Sequence, residues 1–221
     1  MLIIGIDDAG RGPLIGPMIL AGVLLDMGQE SSLKHEGVND SKQVAHPKRV
    51  KLAGLITDTS IKTSVIATSA EQIDHALGTG TNLNTLEAIK AAEIIDTLNK
   101  GIKENVRVIV DCPSINTESW KNTLISFIKK IDNLEISCEH KADANHISVA
   151  AASILAKVKR EEEVEKLQKK YGDIGSGYPS DPTTKEFLKK NGNSLKDSGI
   201  FRKSWQTWKT LFPEKEQTTL F

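Results

Sequence analysis

Only two cysteines, Cys112 and Cys138, occur in 221 residues. That is too few for a disulfide framework, and their spacing does not suit a metal site. Both lie in apolar, strand-like runs, where a buried free thiol is the ordinary reading, and a reducing interior is expected. Aromatic residues make up just 5%, so the core has to be assembled from Ile, Leu, Val and Ala. No run of about 18 apolar residues is present, and no membrane span is expected. The N-terminus carries no basic stretch ahead of an apolar one; residues 1–8 read as a strand that begins at once. A soluble, cytoplasmic protein is expected. Excess charge of either sign is missing as well, since 29 Lys and Arg balance 29 Asp and Glu. A general nucleic-acid binder is usually basic, so the total weighs against that class. The distribution weighs the other way: Lys185, Lys189, Lys190, Lys196, Arg202, Lys203 and Lys209 crowd one stretch with Phe187, Phe201, Trp205 and Trp208, against Glu186 and Asp197. A local basic surface can form there although the total cancels.

What is present suits one sizeable domain with a small appendage. Hydrophobic residues at 38% and charged residues at 26% are enough for a packed core. Apolar runs over 2–7 and 18–25 flank a Gly- and Pro-rich turn and read as a hairpin with an elaborate loop. Residues 26–41 read as loop, 46–56 as a helix with Pro47 near its start, and 61–67 as a third strand. Leu86, Ile89, Ile94 and Leu98 recur at helical spacing, predicting a helix over 84–100 closed by Gly101. Strands over 106–111 and 134–138 alternate with helices over 120–130, 148–170 and 183–190. The order predicts a mixed α/β domain over 1–171, a small C-terminal helical part over 172–212 and a polar tail over 213–221.

Acids stand where strands end. Asp7 and Asp8 close the first strand, Asp111 closes the fourth, and Asp143 lies between the fifth strand and the long helix. In open α/β sheets, sites collect beyond strand ends. Carboxylates are hard oxygen ligands suited to Mg²⁺ or Mn²⁺, and two such ions about 4 Å apart serve phosphodiester hydrolysis. Each acid taken alone reads more readily as a turn former or a helix cap. Neighbours on a regular strand also point to opposite faces, so Asp7 and Asp8 can share a site only if the strand ends or bulges between them.

The run Gly5-Ile6-Asp7-Asp8-Ala9-Gly10-Arg11-Gly12-Pro13, followed by Gly16-Pro17, resembles the N-terminal signature of the type 2 ribonuclease H (ribonuclease HII) family. Further segments resemble that family in the same order: Asn39-Asp40-Ser41-Lys42, Val108-Ile109-Val110-Asp111, Lys141-Ala142-Asp143 with the run from Ser148 to Arg160, and Gly175-Ser176-Gly177-Tyr178-Pro179-Ser180-Asp181-Pro182. The resemblance covers about Leu2 to Trp208. It implies a ribonuclease-H-like mixed five-stranded sheet flanked by helices, with a small C-terminal helical extension. It also implies Mg²⁺ or Mn²⁺ held by Asp7, Asp8, Asp111 and Asp143. Asp8 departs from the family, which has Glu there, and shortens that ligand's reach by one methylene.

By the same resemblance, Gly10, Arg11 and Gly12 form the loop that senses the ribose, where glycines let amides approach the 2′-OH. Tyr178 stacks on the neighbouring sugar. Lys42, Lys157 and Arg160 match positions near the substrate backbone, although for Arg160 a solvated helix face reads as well. Ser148 is a candidate cap for the long helix. His146 is a candidate proton shuttle, but a lone loop histidine is more often incidental. The tail, Gln217-Thr218-Thr219-Leu220-Phe221, resembles a short form of the motif that binds the DNA sliding clamp, with Leu220 and Phe221 as apolar anchors. The expected partners are RNA–DNA hybrid, ribonucleotide-containing duplex DNA and the clamp, in an archaeal-type setting, with the chain a monomer. The rival expectation is a catalytically weak nucleic-acid-binding module of the same fold, supported by Asp8 alone.

Overall fold

A computed structural model describes residues 1–39 and 45–213. Lys42 and the tail residues Gln217, Leu220 and Phe221 lie outside the described residues. The apolar runs become β1 (Leu2–Ala9) and β2 (Met18–Asp26), paired antiparallel, with β3 (Lys62–Thr68) antiparallel on the far side of β2. On the other flank β4 (Val106–Asp111) runs parallel to β1, and β5 (Leu134–Glu139) parallel to β4. The five strands take the order β3-β2-β1-β4-β5, the mixed sheet expected. Ile3 through Asp7 of β1 are buried without interruption, as befits a central strand covered on both faces.

Helices make the covering. On one face lie α4 (Leu83–Asn99) and α5 (Thr117–Phe127), where Ile94, Ile95 and Leu98 pack with Ile4, Ile6, Leu20 and Leu24. On the other, α7 (Ile147–Tyr171) brings Ala151, Ile154 and Leu155 against Ile19, Val23 and Leu25. The small residues that open α7 let its axis come close to the sheet; the charged second half runs beyond it. Helix α7 begins one residue before the expected start. His146 is its N-cap residue and Ser148 lies fully buried within the first turn, so Ser148 is not a cap.

Among the helices in stretches with no helical expectation, two follow strands directly. Residues read as loop contain α1 (Met27–His35), and α3 (Ala70–Gly78) follows β3. Both open on a capping box, Asp26 with Gln29 and Ser69 with Gln72, in which side chain and backbone satisfy each other reciprocally. Helix α2 (His46–Thr59) joins α1 beneath α7, contributing Leu52 and Ile56 to the same cluster.

The C-terminal part holds α8 (Pro182–Asn191) and α9 (Gln206–Leu211). Its aromatics form its core: Phe187, Phe201 and Trp208 are buried together with Leu14 and Ile15 from the loop after β1. Phe201 and Trp208 lie 4.8 Å apart, centroid to centroid. Of the basic residues in that stretch, Arg202 is fully buried, so the expected basic surface lacks it.

Gly5 fixes the seat of α7. A Cβ there would lie 2.2 Å from the Ser148 carbonyl carbon and 2.5 Å from the Val149 nitrogen, both backbone atoms with nowhere to retreat. Gly5→Ala is therefore expected to destabilise the fold by about 1–3 kcal/mol, the usual cost of overpacking. Denaturant unfolding measures this, and an unchanged midpoint would contradict the close seat.

Candidate active site

The register of β1 does not break where the acids lie. Asp7 pairs with Ala21, Asp8 with Leu20 and Ala9 with Ile19, so the antiparallel ladder continues past both acids. The bulge that a shared site required on regular-strand reasoning is not there. What changes is the other side: the parallel ladder to β4 stops at Ile6 and Val110. Beyond that point β1 continues alone on its β4 flank. Asp7 and Asp8 alternate as strand residues do, but the end of the sheet leaves no partner strand between them and Asp111.

Asp7 is buried, hydrogen-bonded by the Ser153 hydroxyl of α7, and accepts the Asp8 N–H at 2.7 Å. Its pKa is raised well above the ordinary carboxylate range, first by burial and then by the charges of Asp8 and Asp111. Asp8 is raised to about 6, again first by burial; Arg11 pulls it down, Asp111 pushes it up, and Lys157 and Arg202 pull it down. Asp111 accepts the Ala142 N–H at 2.8 Å, which draws α6 (Ala142–Asn145) to the end of β4. Asp143, buried, is the next residue of that turn. The turn is entered through Lys141 at φ 56°, the only non-glycine residue in the left-handed region among the described residues, a conformation that costs on the order of 1 kcal/mol.

These acids fit a divalent cation by chemistry: all are hard oxygen donors, Asp7 and Asp143 are buried, and Asp7, Asp8 and Asp111 repel one another. Among the described residues, however, no three His, Cys, Asp or Glu side chains converge as a preformed metal cluster. The His146 ring faces Glu139 instead, its Nε2 2.8 Å from Glu139 Oε2, and lowers the Glu139 pKa.

A cleft of 630 Å³ opens beside Asp8, lined by residues 10–12, Lys157, Arg160 and Tyr178. Gly12 lies under the Tyr178 ring, where a Cβ would approach Cε1 to 3.4 Å. Gly10, at φ 82°, has no room for a side chain, because a Cβ would lie 2.5 Å from Arg160 Cδ. Arg160 is not on a solvated helix face. It is buried, its Nη2 donates to the carbonyls of Ile15 at 3.1 Å and Ser176 at 3.4 Å, and burial lowers its pKa. In the structure it joins the stretch after the glycine loop, at Ile15, to the loop that carries Tyr178, at Ser176. That second loop is pinned by Asp181, whose Oδ2 accepts the Ser176 N–H at 2.7 Å and hydroxyl at 2.6 Å.

Two charged groups escaped the sequence reading. The Arg11 guanidinium pairs with Glu87, a buried acid of α4, and donates to Asn84 Oδ1 at 2.5 Å. The signal was there, Asn84 and Glu87 three apart at the start of a helix, but an acid inside a helical stripe reads as surface. Arg202, counted among the basic surface residues, is the largest fully buried side chain. Burial and the neighbouring Arg160 lower its pKa to about 9, which leaves it charged at neutral pH.

The family model described as ribonuclease HII matches residues 4–208. The chain belongs to the ribonuclease HII family. A ribonuclease HII of Methanococcus maripaludis (strain C6) is 42% identical over 223 residues, covering 100% of this chain and 91% of the relative. The structure is similar to the ribonuclease H2 of Pyrococcus horikoshii OT3, with a TM-score of 0.85, 36% identity and coverage of 96% of this chain and 97% of that one. It is also similar to a chain of the PCNA:RNase HII complex from Archaeoglobus fulgidus, at TM-score 0.82 and 37% identity, covering 93% and 96%. The chain is a ribonuclease H enzyme, a nuclease of the hydrolase class.

The raised acids give stability a pH dependence of known sign. A carboxyl whose folded pKa exceeds its unfolded value costs nothing below about pH 4, and its cost grows until pH passes the folded value. In metal-free buffer, Asp8→Asn should thus raise stability by about 1–2 kcal/mol at pH 7.5 and by little at pH 4. Thermal melts of both proteins at the two pH values measure it; an equal gain at both would deny the charge its role.

Proposed function

We propose that the chain cuts the RNA strand of RNA–DNA hybrids and incises duplex DNA on the 5′ side of embedded ribonucleotides, leaving 3′-OH and 5′-phosphate ends. The supporting observation is the meeting of two features at one place: a group of buried, mutually repelling acids and a glycine loop beside a cleft. Asp7, Asp8, Asp111 and Asp143 are the residues that would hold Mg²⁺ or Mn²⁺ in a two-metal-ion arrangement. When bound, these ions supply the positive charge that phosphodiester hydrolysis requires at the attacking and leaving oxygens.

The chain's own residues do the rest. The amides of residues 10–12 approach the sugar and read its 2′-OH. The Tyr178 ring, lying over Gly12, stacks on the adjacent sugar. Lys157 of α7 and Lys42 carry charge to the phosphates. The Arg11 side chain, engaged by Glu87 and Asn84, holds the loop from the α4 side. The rival, a catalytically weak module, draws its support from Asp8 in place of Glu, yet Asp8 and Asp111 stand close enough for each to act on the other's charge. The tail, through Gln217, Leu220 and Phe221, would dock on a DNA sliding clamp, a reading supported by the Archaeoglobus fulgidus protein having been solved with PCNA.

Asp7→Asn and Asp143→Asn should each abolish cutting of a duplex carrying one ribonucleotide, assayed with Mg²⁺ or Mn²⁺, while substrate binding persists. Cutting retained by either variant would remove that acid from the metal site. Deleting residues 217–221 should leave cleavage unaltered and eliminate association with a sliding clamp in a pull-down; undiminished association would discard the tail motif.

A further inference from the structure

The glycine loop is held by its carbonyls. The guanidinium of Arg202, wholly buried, donates from Nη2 to the Gly10 carbonyl at 2.6 Å, from Nη1 to the Arg11 carbonyl at 2.7 Å and from Nε to the Gly16 carbonyl at 3.1 Å. Trp205 lies against Arg202, 4.9 Å from guanidinium carbon to ring centroid, and its Nε1 donates to the Gly12 carbonyl at 3.1 Å. Three successive carbonyls are therefore taken by one pair of side chains.

Peptide geometry turns this into a statement about the amides. In a trans peptide the C=O and the following N–H point in opposite directions, and no cis peptide occurs among the described residues. Holding the Gly10 and Arg11 carbonyls on Arg202 thus aims the N–H groups of Arg11 and Gly12 away from it. The third peptide leads into Pro13, which has no N–H to orient. A planar guanidinium with donors at fixed angles suits this task; a lysine ammonium, a single point charge, cannot reach the same carbonyls in one plane.

We propose that Arg202 and Trp205 are a positioning pair that orients the backbone of residues 10–12 and so sets the chain's discrimination of ribose from deoxyribose. This rests on the reading of that loop as the ribose sensor. Arg202, buried, acts through the loop and does not touch the substrate. Its position also explains how a buried cation is tolerated: each nitrogen of the fork faces a carbonyl dipole, and the charges of Asp74 and Asp8 favour it further.

The test compares the parent with Trp205→Phe, which keeps an aromatic ring for stacking but loses the N–H, and with Arg202→Gln and Arg202→Lys. kcat and KM are measured on a duplex carrying one ribonucleotide, and Kd on the same duplex without it. The expected result is a fall in kcat of about 10-fold for Trp205→Phe and about 100-fold for Arg202→Gln, the scale of one lost hydrogen bond and of a misplaced contact. Arg202→Lys should not restore the rate, and the all-deoxy duplex should bind as it does to the parent. Should the Arg202 variants fail to fold, Trp205→Phe decides alone. Folded variants that cut as fast as the parent, or that lose affinity for the all-deoxy duplex by the same factor as they lose rate, overturn the role of the pair. The parent's own cutting, measured first, separates the two readings: a parent that leaves the ribonucleotide duplex whole refutes the function on which the pair's role rests.

Discussion

Helix α7 meets the sheet at Gly5, where its backbone occupies the space of an absent side chain, and from that contact helix and strand advance in step. Two residues of strand, from Gly5 to Asp7, cover about 6.6 Å. Five residues of helix, from Ser148 to Ser153, cover about 7.5 Å. Ser153 accordingly reaches Asp7. Further along, Lys157 comes within electrostatic reach of Asp8 and the Arg160 side chain crosses Gly10. The first turn of the same helix packs Val149 with Ile3, Ile109 and Ala142, which places the short turn bearing Asp143 next to Asp111. One close contact thereby aligns a helix with the acids, the glycine loop and a basic side chain at once.

Electrostatics divides the acids into two environments. Asp7 is pushed toward its neutral form by burial and by its acidic neighbours, with no cation among the groups that shift it most. Asp8 stands between Asp111 on one side and Arg11, Lys157 and Arg202 on the other. Carboxylates arranged this way are costly while they share no cation, and that cost favours binding one. The shorter side chain at residue 8, where the family has Glu, sits in the better compensated of the two environments.

Much of this was legible in the residues and some was not. The strands followed from apolar runs, and α4 from Leu86, Ile89, Ile94 and Leu98. Helix α1 was read as loop because it buries only Leu33; its sole strong signal, the Asp26–Gln29 capping box, is local chemistry without an apolar stripe beside it. Asp143 could be located between β5 and the long helix but not within α6, since the turn depends on a lysine in the left-handed region, and lysine carries no preference for it. Glu87 and Arg202 were hidden for a different reason. Composition treats charge as surface, and a buried charge is visible only when its partners, 76 residues away for Glu87 and up to 192 for Arg202, are brought to it by the fold.

That long-range pairing bears on how the C-terminal segment relates to the sheet. Residues 14–16 are threaded between two of its loops: the N–H groups of Leu14 and Ile15 donate to the Gly177 carbonyl, that of Gly16 to Ile200, and that of Arg202 back to Leu14. Leu14 and Ile15 also complete its apolar core. Without that segment, the carbonyls of Gly10, Arg11 and Gly16 would lose the guanidinium that fixes their direction. The backbone that follows the first two acids can then hold its shape only after the two ends of the chain have met. The sheet brings Asp7, Asp8 and Asp111 to one end and α6 adds Asp143 beside Asp111; closure by the last helices turns the loop next to them into a surface of defined hydrogen-bonding direction.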